Sequence, residues 1–197
     1  MPAEVPGLTF PTQSEAASYG NLQLVQYLCK EQHFAMDELL MSEAAWSGNL
    51  LLVQWLRAEG CPWNGKACAE AAESGHLEVL RWLRTNGCRW RHTTCALAAG
   101  AGQMRVLRWA RENGCEWGPS TCRAAAMGGH LNVLQWVWEN GCQMDQDTCF
   151  AAVAEGHVHV LRWAREHGCP WNAWTRDRAA AKLGYADDFG NLVVVEP

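Results

Sequence analysis

A glycine followed by Asn, His or Gln and then an aliphatic residue recurs along this chain at a nearly constant interval. Gly20-Asn21-Leu22, Gly48-Asn49-Leu50, Gly75-His76-Leu77, Gly102-Gln103-Met104, Gly129-His130-Leu131 and Gly156-His157-Val158 are separated by 28 residues once and by 27 four times. A second mark keeps the same beat: Gly60-Cys61, Gly87-Cys88, Gly114-Cys115, Gly141-Cys142 and Gly168-Cys169. Cys68, Cys95, Cys122 and Cys149 are a third. Markers in phase over most of a chain define a structural repeat, and a fixed period of about 20–50 residues is the signature of a stacked array.

Each unit predicts two short helices. Thr121-Cys122-Arg123-Ala124-Ala125-Ala126 is a helix former built of small residues, which lets neighbouring helices approach closely. The alanine pair recurs as Ala16-Ala17, Ala44-Ala45, Ala71-Ala72, Ala98-Ala99 and Ala125-Ala126. Asp37, Asn64, Asp145 and Asn172 stand where an N-cap opens this first helix. After the Gly129 turn, Leu131-Asn132-Val133-Leu134-Gln135-Trp136-Val137 carries apolar residues at helical spacing. Gly141 then suits the left-handed position that ends a helix. Helices below about 12–15 residues are marginal alone in water, so these are expected to stack into an all-α solenoid.

The run Thr-Cys-Ala-x-Ala-Ala-x-x-Gly-His-Leu-x-Val-Leu-x-Trp-x-x-x-x-Gly-Cys resembles the ankyrin repeat over about residues 13–184. The usual unit of that family is about 33 residues. The shortfall here lies between Gly-Cys and the next Cys, where ankyrin repeats carry a β-hairpin finger, so the fingers are expected to shrink to tight turns. The usual Thr-Pro-Leu-His opening is replaced by Thr-Cys-Ala. The chain divides into an N-terminal extension at 1–12, six repeats over 13–171, a polar capping half-repeat at 172–190 and an apolar tail at 191–197.

Composition narrows the function classes. A hydrophobic content of 49% supports a substantial core, and a net charge of −5 opposes broad attraction to nucleic acid or acidic membrane. No stretch approaches a membrane span of about 18 apolar residues. The start, Met1-Pro2-Ala3-Glu4-Val5-Pro6, has neither the basic start nor the apolar core of a signal peptide. Ten cysteines without such a signal are expected to be reduced thiols, in the cytoplasm or nucleus.

Cys61 with Cys68, and Cys88 with Cys95, form Cys-x6-Cys spacings, and His76, His130 and His157 recur. Structural zinc usually takes cysteines two to four residues apart, so the cysteines are expected to be packing groups, with metal or redox chemistry the alternative; no metal or cofactor is expected. The histidines share their position with Asn21, Asn49 and Gln103, which marks a hydrogen-bonding role. Two rows are expected to pack: Tyr27, Trp55, Trp82, Trp109, Trp136 and Trp163 in the core, and Met36, Trp63, Trp90, Trp117, Met144 and Trp171 between units. An aromatic cage or base-stacking platform is the alternative for these rows. No phosphate loop, Gly-x-Ser-x-Gly or His-Glu-x-x-His occurs, so no enzyme is expected.

The resemblance implies a module or structural subunit that binds a protein partner with the concave side, formed by the first helices and the turns before them. Two positions four apart on those helices share a face and vary between units: Ser42 with Trp46, Ala69 with Glu73, Ala96 with Gly100, Arg123 with Met127 and Phe150 with Ala154. The expected interface centres on Arg123, Met127 and Phe150, with Trp46 on the same strip and Arg91 and His92 on an adjoining turn. Trp138 is a candidate exposed anchor on the second helices. The alternative is polyanion or nucleic-acid binding through the rows Arg81, Arg108, Arg162 and Arg57, Arg84, Arg111, Arg165.

Overall fold

The computed structural model describes residues 12–183. Among them are thirteen helices and no strand. The helices pair as α1 (Gln13–Ser18) with α2 (Leu22–Lys30), α3 (Glu38–Ser47) with α4 (Leu50–Ala58), and α5 (Gly65–Glu73) with α6 (Leu77–Thr85). They continue as α7 (Thr94–Gly100) with α8 (Met104–Glu112), α9 (Pro119–Met127) with α10 (Leu131–Glu139), and α11 (Gln146–Glu155) with α12 (Val158–Glu166). A further first helix, α13 (Ala173–Leu183), packs on α11. Most of the extension and everything from Gly184 on, including the rest of the capping half-repeat and the apolar tail, lie outside the described residues.

The expected caps open the first helices. Asp37 accepts from the Leu40 amide, Asn64 from Lys66, Asp145 from Thr148 and Asn172 from Thr175. Where the sequence offers no such cap, α9 starts on Gly118-Pro119, using a proline whose missing N–H falls in the first turn. Gly141 closes α10 with φ 87°.

First helices are packed intimately on first helices, second helices only loosely on one another. Side-chain size explains the difference. Ala71, Ala72, Ala98, Ala99, Ala125 and Ala126 are fully buried, so the backbones of α5, α7 and α9 come close. The second helices face them with a repeated apolar trio, Val79-Leu80-Leu83 in α6 and Val133-Leu134-Val137 in α10. Each such buried aliphatic side chain is worth about 1.5–3 kcal/mol relative to exposure. Buried threonines, Thr94, Thr121, Thr148 and Thr175, complete the layer.

The inter-helix turns are tied to the preceding unit. Asn49 donates to the Gly20 carbonyl, Gln103 to Glu73, and the His157 Nε2 lies 3.0 Å from the Met127 oxygen, so this nitrogen carries the proton. The His157 ring lies against Gly129, where a Cβ would fall 2.7 Å from its atoms. These residues therefore act as spacers and donors, as their exchange with Asn and Gln predicts.

The tryptophan row of the second helices departs from expectation. Trp55, Trp82, Trp109, Trp136 and Trp163 are half-buried on the flank, and Tyr27 is 49% exposed. The trio of smaller aliphatics already fills the space toward the first helices. The indoles instead bridge units on the outer side. Trp63 meets Trp82 with ring centres 5.9 Å apart, Trp90 meets Trp109 at 6.0 Å, and Trp117 meets Trp136 at 5.3 Å, all edge to face. Each pair joins the turn of one unit to the second helix of the next, a geometry worth about 0.5–1.5 kcal/mol beyond burial.

Candidate functional site

The varying strip on the first helices is not uniformly open. Ser42 and Ala69 are buried, and the Ser42 hydroxyl is spent on the Glu38 carbonyl. Further along, the surface opens into a groove of about 860 Å³ running over α7, α9 and α11. Its floor is low because Gly100 stands where other units carry Trp46, Glu73, Met127 and Ala154, with the small Ala96 beside it, between Glu73 on one side and Arg123 and Met127 on the other. Phe150 and Ala154 extend it, and Asp147 and Glu155 add acid to its rim.

His92, Arg123, Met127 and Phe150 therefore come together in one concavity. Met127 is 55% exposed, an unbranched and adaptable side chain with nothing covering half of it. Arg123 is paired with Asp147 at 3.6 Å, both half-exposed, a contact worth about 0–1 kcal/mol that a better partner can replace. Arg91 lies on the neighbouring hollow over Asn64 and Lys66, sharing His92 as the border. Trp46 is exposed on α3, two units from the groove, and Trp138 is on the second helices; neither lines it.

Sequence reasoning missed two contributors. Trp174 on α13 is 56% exposed and meets Phe150 at 5.2 Å between ring centres, with Arg178 5.5 Å from its ring. It extends the apolar strip toward the end of the array from the position before the buried threonine, where the three preceding units carry the polar Thr93, Ser120 and Asp147 and the repeat gives no apolar signal. Glu73 was visible only as a variable position. Beside it, burial raises the Glu70 carboxyl above its ordinary value, an effect that Lys66 opposes and the nearby Glu73 and Glu43 carboxylates reinforce.

The arginine rows are largely committed to structure. Arg57, Arg84, Arg111 and Arg165 lie 4.3–4.5 Å over the rings of Trp63, Trp90, Trp117 and Trp171. Arg81 reaches Trp109 and pairs with Glu78 at 3.3 Å, and Arg108 reaches Trp136. Arg162 is exposed. Among the described residues, no three His, Cys, Asp or Glu side chains converge as they would around a metal ion. No described helix is long and apolar enough to cross a membrane.

No protein-family model matches this chain, and no curated protein matches it. Among solved structures, it is similar to the crystal structure of the human ASB11 ankyrin repeat domain. The TM-score is 0.64 at 17% identity, over 93% of this chain and 95% of that one. The fold is an ankyrin-like solenoid. Within it the finger region is reduced as expected: after Cys61 the chain reaches the Asn64 cap of the next ankyrin-like unit without forming a strand.

Proposed function

We propose that the chain is a non-catalytic protein-interaction module, an adaptor or a structural subunit of a larger assembly, that holds its partner in the first-helix groove. The convergence of His92, Arg123, Met127 and Phe150 on one open concavity supports this reading above all else. Met, aromatic and Arg side chains are enriched at interface centres, and here they surround a floor of Ala and Gly that admits a partner's side chain. Ten buried thiols without a disulfide favour a reducing, intracellular setting.

The test is site-specific photo-crosslinking in an extract of the native source, with the reactive group at position 127 or at position 162. The proposal expects a discrete protein adduct from position 127, lost when Gly100→Trp fills the groove floor. Adducts from position 162 alone, or nucleic acid recovered in place of protein and released by moderate salt, would favour the arginine face instead.

A further inference from the structure

In the second, third, fourth and sixth units a guanidinium occupies one fixed place on the outer side of the second helices, over the tryptophan of its own turn. Three of these arginines also donate to the carbonyl of the turn cysteine: Arg57 to Cys61 at 3.3 Å, Arg84 to Cys88 and Arg165 to Cys169. A second set leans forward onto the next unit, with Arg81 5.9 Å from the Trp109 ring and Arg108 5.5 Å from Trp136.

The fifth unit changes three of these positions together. Gln135 replaces the forward-leaning arginine, Trp138 the stacked one, and Met144 the turn tryptophan. Trp138 takes over the forward role, its ring centre 5.6 Å from Trp163 and 5.0 Å from His167 of the sixth unit. With its ring committed there, the place filled by a guanidinium elsewhere becomes a hollow of about 410 Å³, lined by Trp138, Gly141, Cys142, Gln143, Met144 and His167 among others. The Cys142 amide donates to the Val137 carbonyl at 2.9 Å, as the Cys88 amide does to Leu83 at 3.0 Å and the Cys169 amide to Ala164 at 2.9 Å, so its backbone lies at the same point of the repeat.

We propose that this hollow binds a guanidinium, supplied by an arginine side chain of a partner polypeptide. The other units show the chemistry: a flat cation that donates to the turn carbonyl and lies on a neighbouring ring. In the fifth unit the acceptor is the Cys142 carbonyl, and the surfaces are the Trp138 indole and the Met144 side chain, with the His167 ring, itself stacked on Trp163 at 4.1 Å, at the border. Arginine suits the place better than lysine, because its planar, weakly hydrated group stacks and donates along fixed directions. The flanking Arg111 and Arg165 are each one unit away. Helices pack at about 8–10 Å, close to the screening length at physiological salt, and the exposed Glu139 and Glu166 offset their charge. This site is on the second helices and is independent of the first-helix groove.

The experiment titrates the full-length, ¹⁵N-labelled chain with acetyl-Gly-Arg-Gly-amide, its lysine counterpart and guanidinium chloride at matched ionic strength. The readouts are the Trp138 indole N–H, assigned by Trp138→Phe, and the amides of Gly141 and Cys142. Saturable shifts with the arginine peptide, about tenfold weaker with lysine, are expected. The double variant Trp138→Arg/Met144→Trp supplies the unit's own guanidinium and tryptophan. It should keep its circular dichroism and lose the arginine-peptide shifts at Gly141 and Cys142. Absence of saturable shifts in the native chain, or their persistence at those two amides in the folded double variant, overturns the proposal. Equal saturation by guanidinium chloride overturns the assignment to a polypeptide side chain.

Discussion

Cys95 and Cys115 meet thiol to thiol, their sulfurs 2.8 Å apart and their positions separated by twenty residues. Cys122 and Cys142 repeat the contact at 3.0 Å, while Cys68 and Cys149 reach toward the Cys88 and Cys169 carbonyls at 3.9 Å. Each pair ties a first helix to the turn that ends its unit. Cys88, Cys142 and Cys169 then reach back, at 3.1–3.2 Å, to the carbonyl of the residue that opens the first helix. The visible Cys-x6-Cys spacing joins different units and is not the pairing that the fold uses.

Burial of all ten cysteines predicts inert thiols. The bond that Cys95 donates to Cys115, and then its burial, hold Cys95 well above the ordinary thiol range, while accepting that bond lowers Cys115 against the opposing effect of its own burial. Iodoacetamide should label few of the ten cysteines in the native protein and all of them in denaturant. Protein purified under reductant should carry no stoichiometric zinc and keep its helicity in chelator. Metal at one equivalent or more, with unfolding on its removal, would reverse the assignment of these groups to packing.

Alkaline pH should weaken the fold in a stated direction. Burial, with Asp37 adding to it, pushes the Cys61 thiol from an ordinary value of 9.0 up to about 12. The unfolded chain releases this proton near pH 9 and the native chain keeps it. The contribution is therefore intact below the unfolded value and lost as pH rises toward about 12, at about 1.4 kcal/mol per pH unit for one thiol. Urea midpoints measured from neutral pH to about pH 10 should fall, and Cys61→Ala should flatten the slope. An identical slope in the variant would remove Cys61 from the cause.

The histidine spacers can be separated from plain turn strain. Gly129 and Gly141 both have positive φ, 73° and 87°, but a Cβ at Gly129 meets the His157 ring whereas one at Gly141 meets nothing within 4 Å. Gly141→Ala should cost about 1–2 kcal/mol from backbone conformation alone. Gly129→Ala should cost about 1 kcal/mol more, because His157 must give up its bond to the Met127 carbonyl. In a double-mutant cycle with His157→Ala, that excess should vanish. Additive losses would mean that the ring and the glycine do not communicate.

Much of the fold was legible because periodicity is written along the chain: the Gly-x-aliphatic turn and the alanine pair of each unit, and the Asp or Asn caps of α3, α5, α11 and α13, each have one local physical cause. The tryptophans were misplaced for a definite reason. Trp109 and Val106 both occupy helical positions that read as apolar, and only the stacking of units decides that Val106 is enclosed and Trp109 lies on the flank. Side-chain variation pointed to Arg123, Met127 and Phe150 together, since residues 27 apart stack into columns. It could not reveal the Arg123–Asp147 pair or the Phe150–Trp174 contact, which cross between columns.

The two arginine rows offer a test that separates architecture from charge. Arg84 stacks on Trp90 at 4.3 Å and donates to the Cys88 carbonyl, while Arg162 stands exposed on the same side. Removing the first takes away a cation–π contact and a charge-assisted hydrogen bond, together worth about 1–2 kcal/mol at a half-exposed position. Arg84→Gln should therefore lower the urea midpoint clearly, and Arg162→Gln should stay within about 0.5 kcal/mol of the parent. A polyanion-binding face would behave otherwise: each lost cation would weaken binding by a similar factor and reduce the salt dependence by one contact. Fluorescence polarisation with a labelled single-stranded oligonucleotide, run at two salt concentrations, distinguishes the cases. The expected outcome is a stability loss confined to Arg84→Gln and no oligonucleotide affinity that depends on Arg162. Equal stabilities with equal losses of salt-sensitive oligonucleotide binding would instead make these rows a recognition surface.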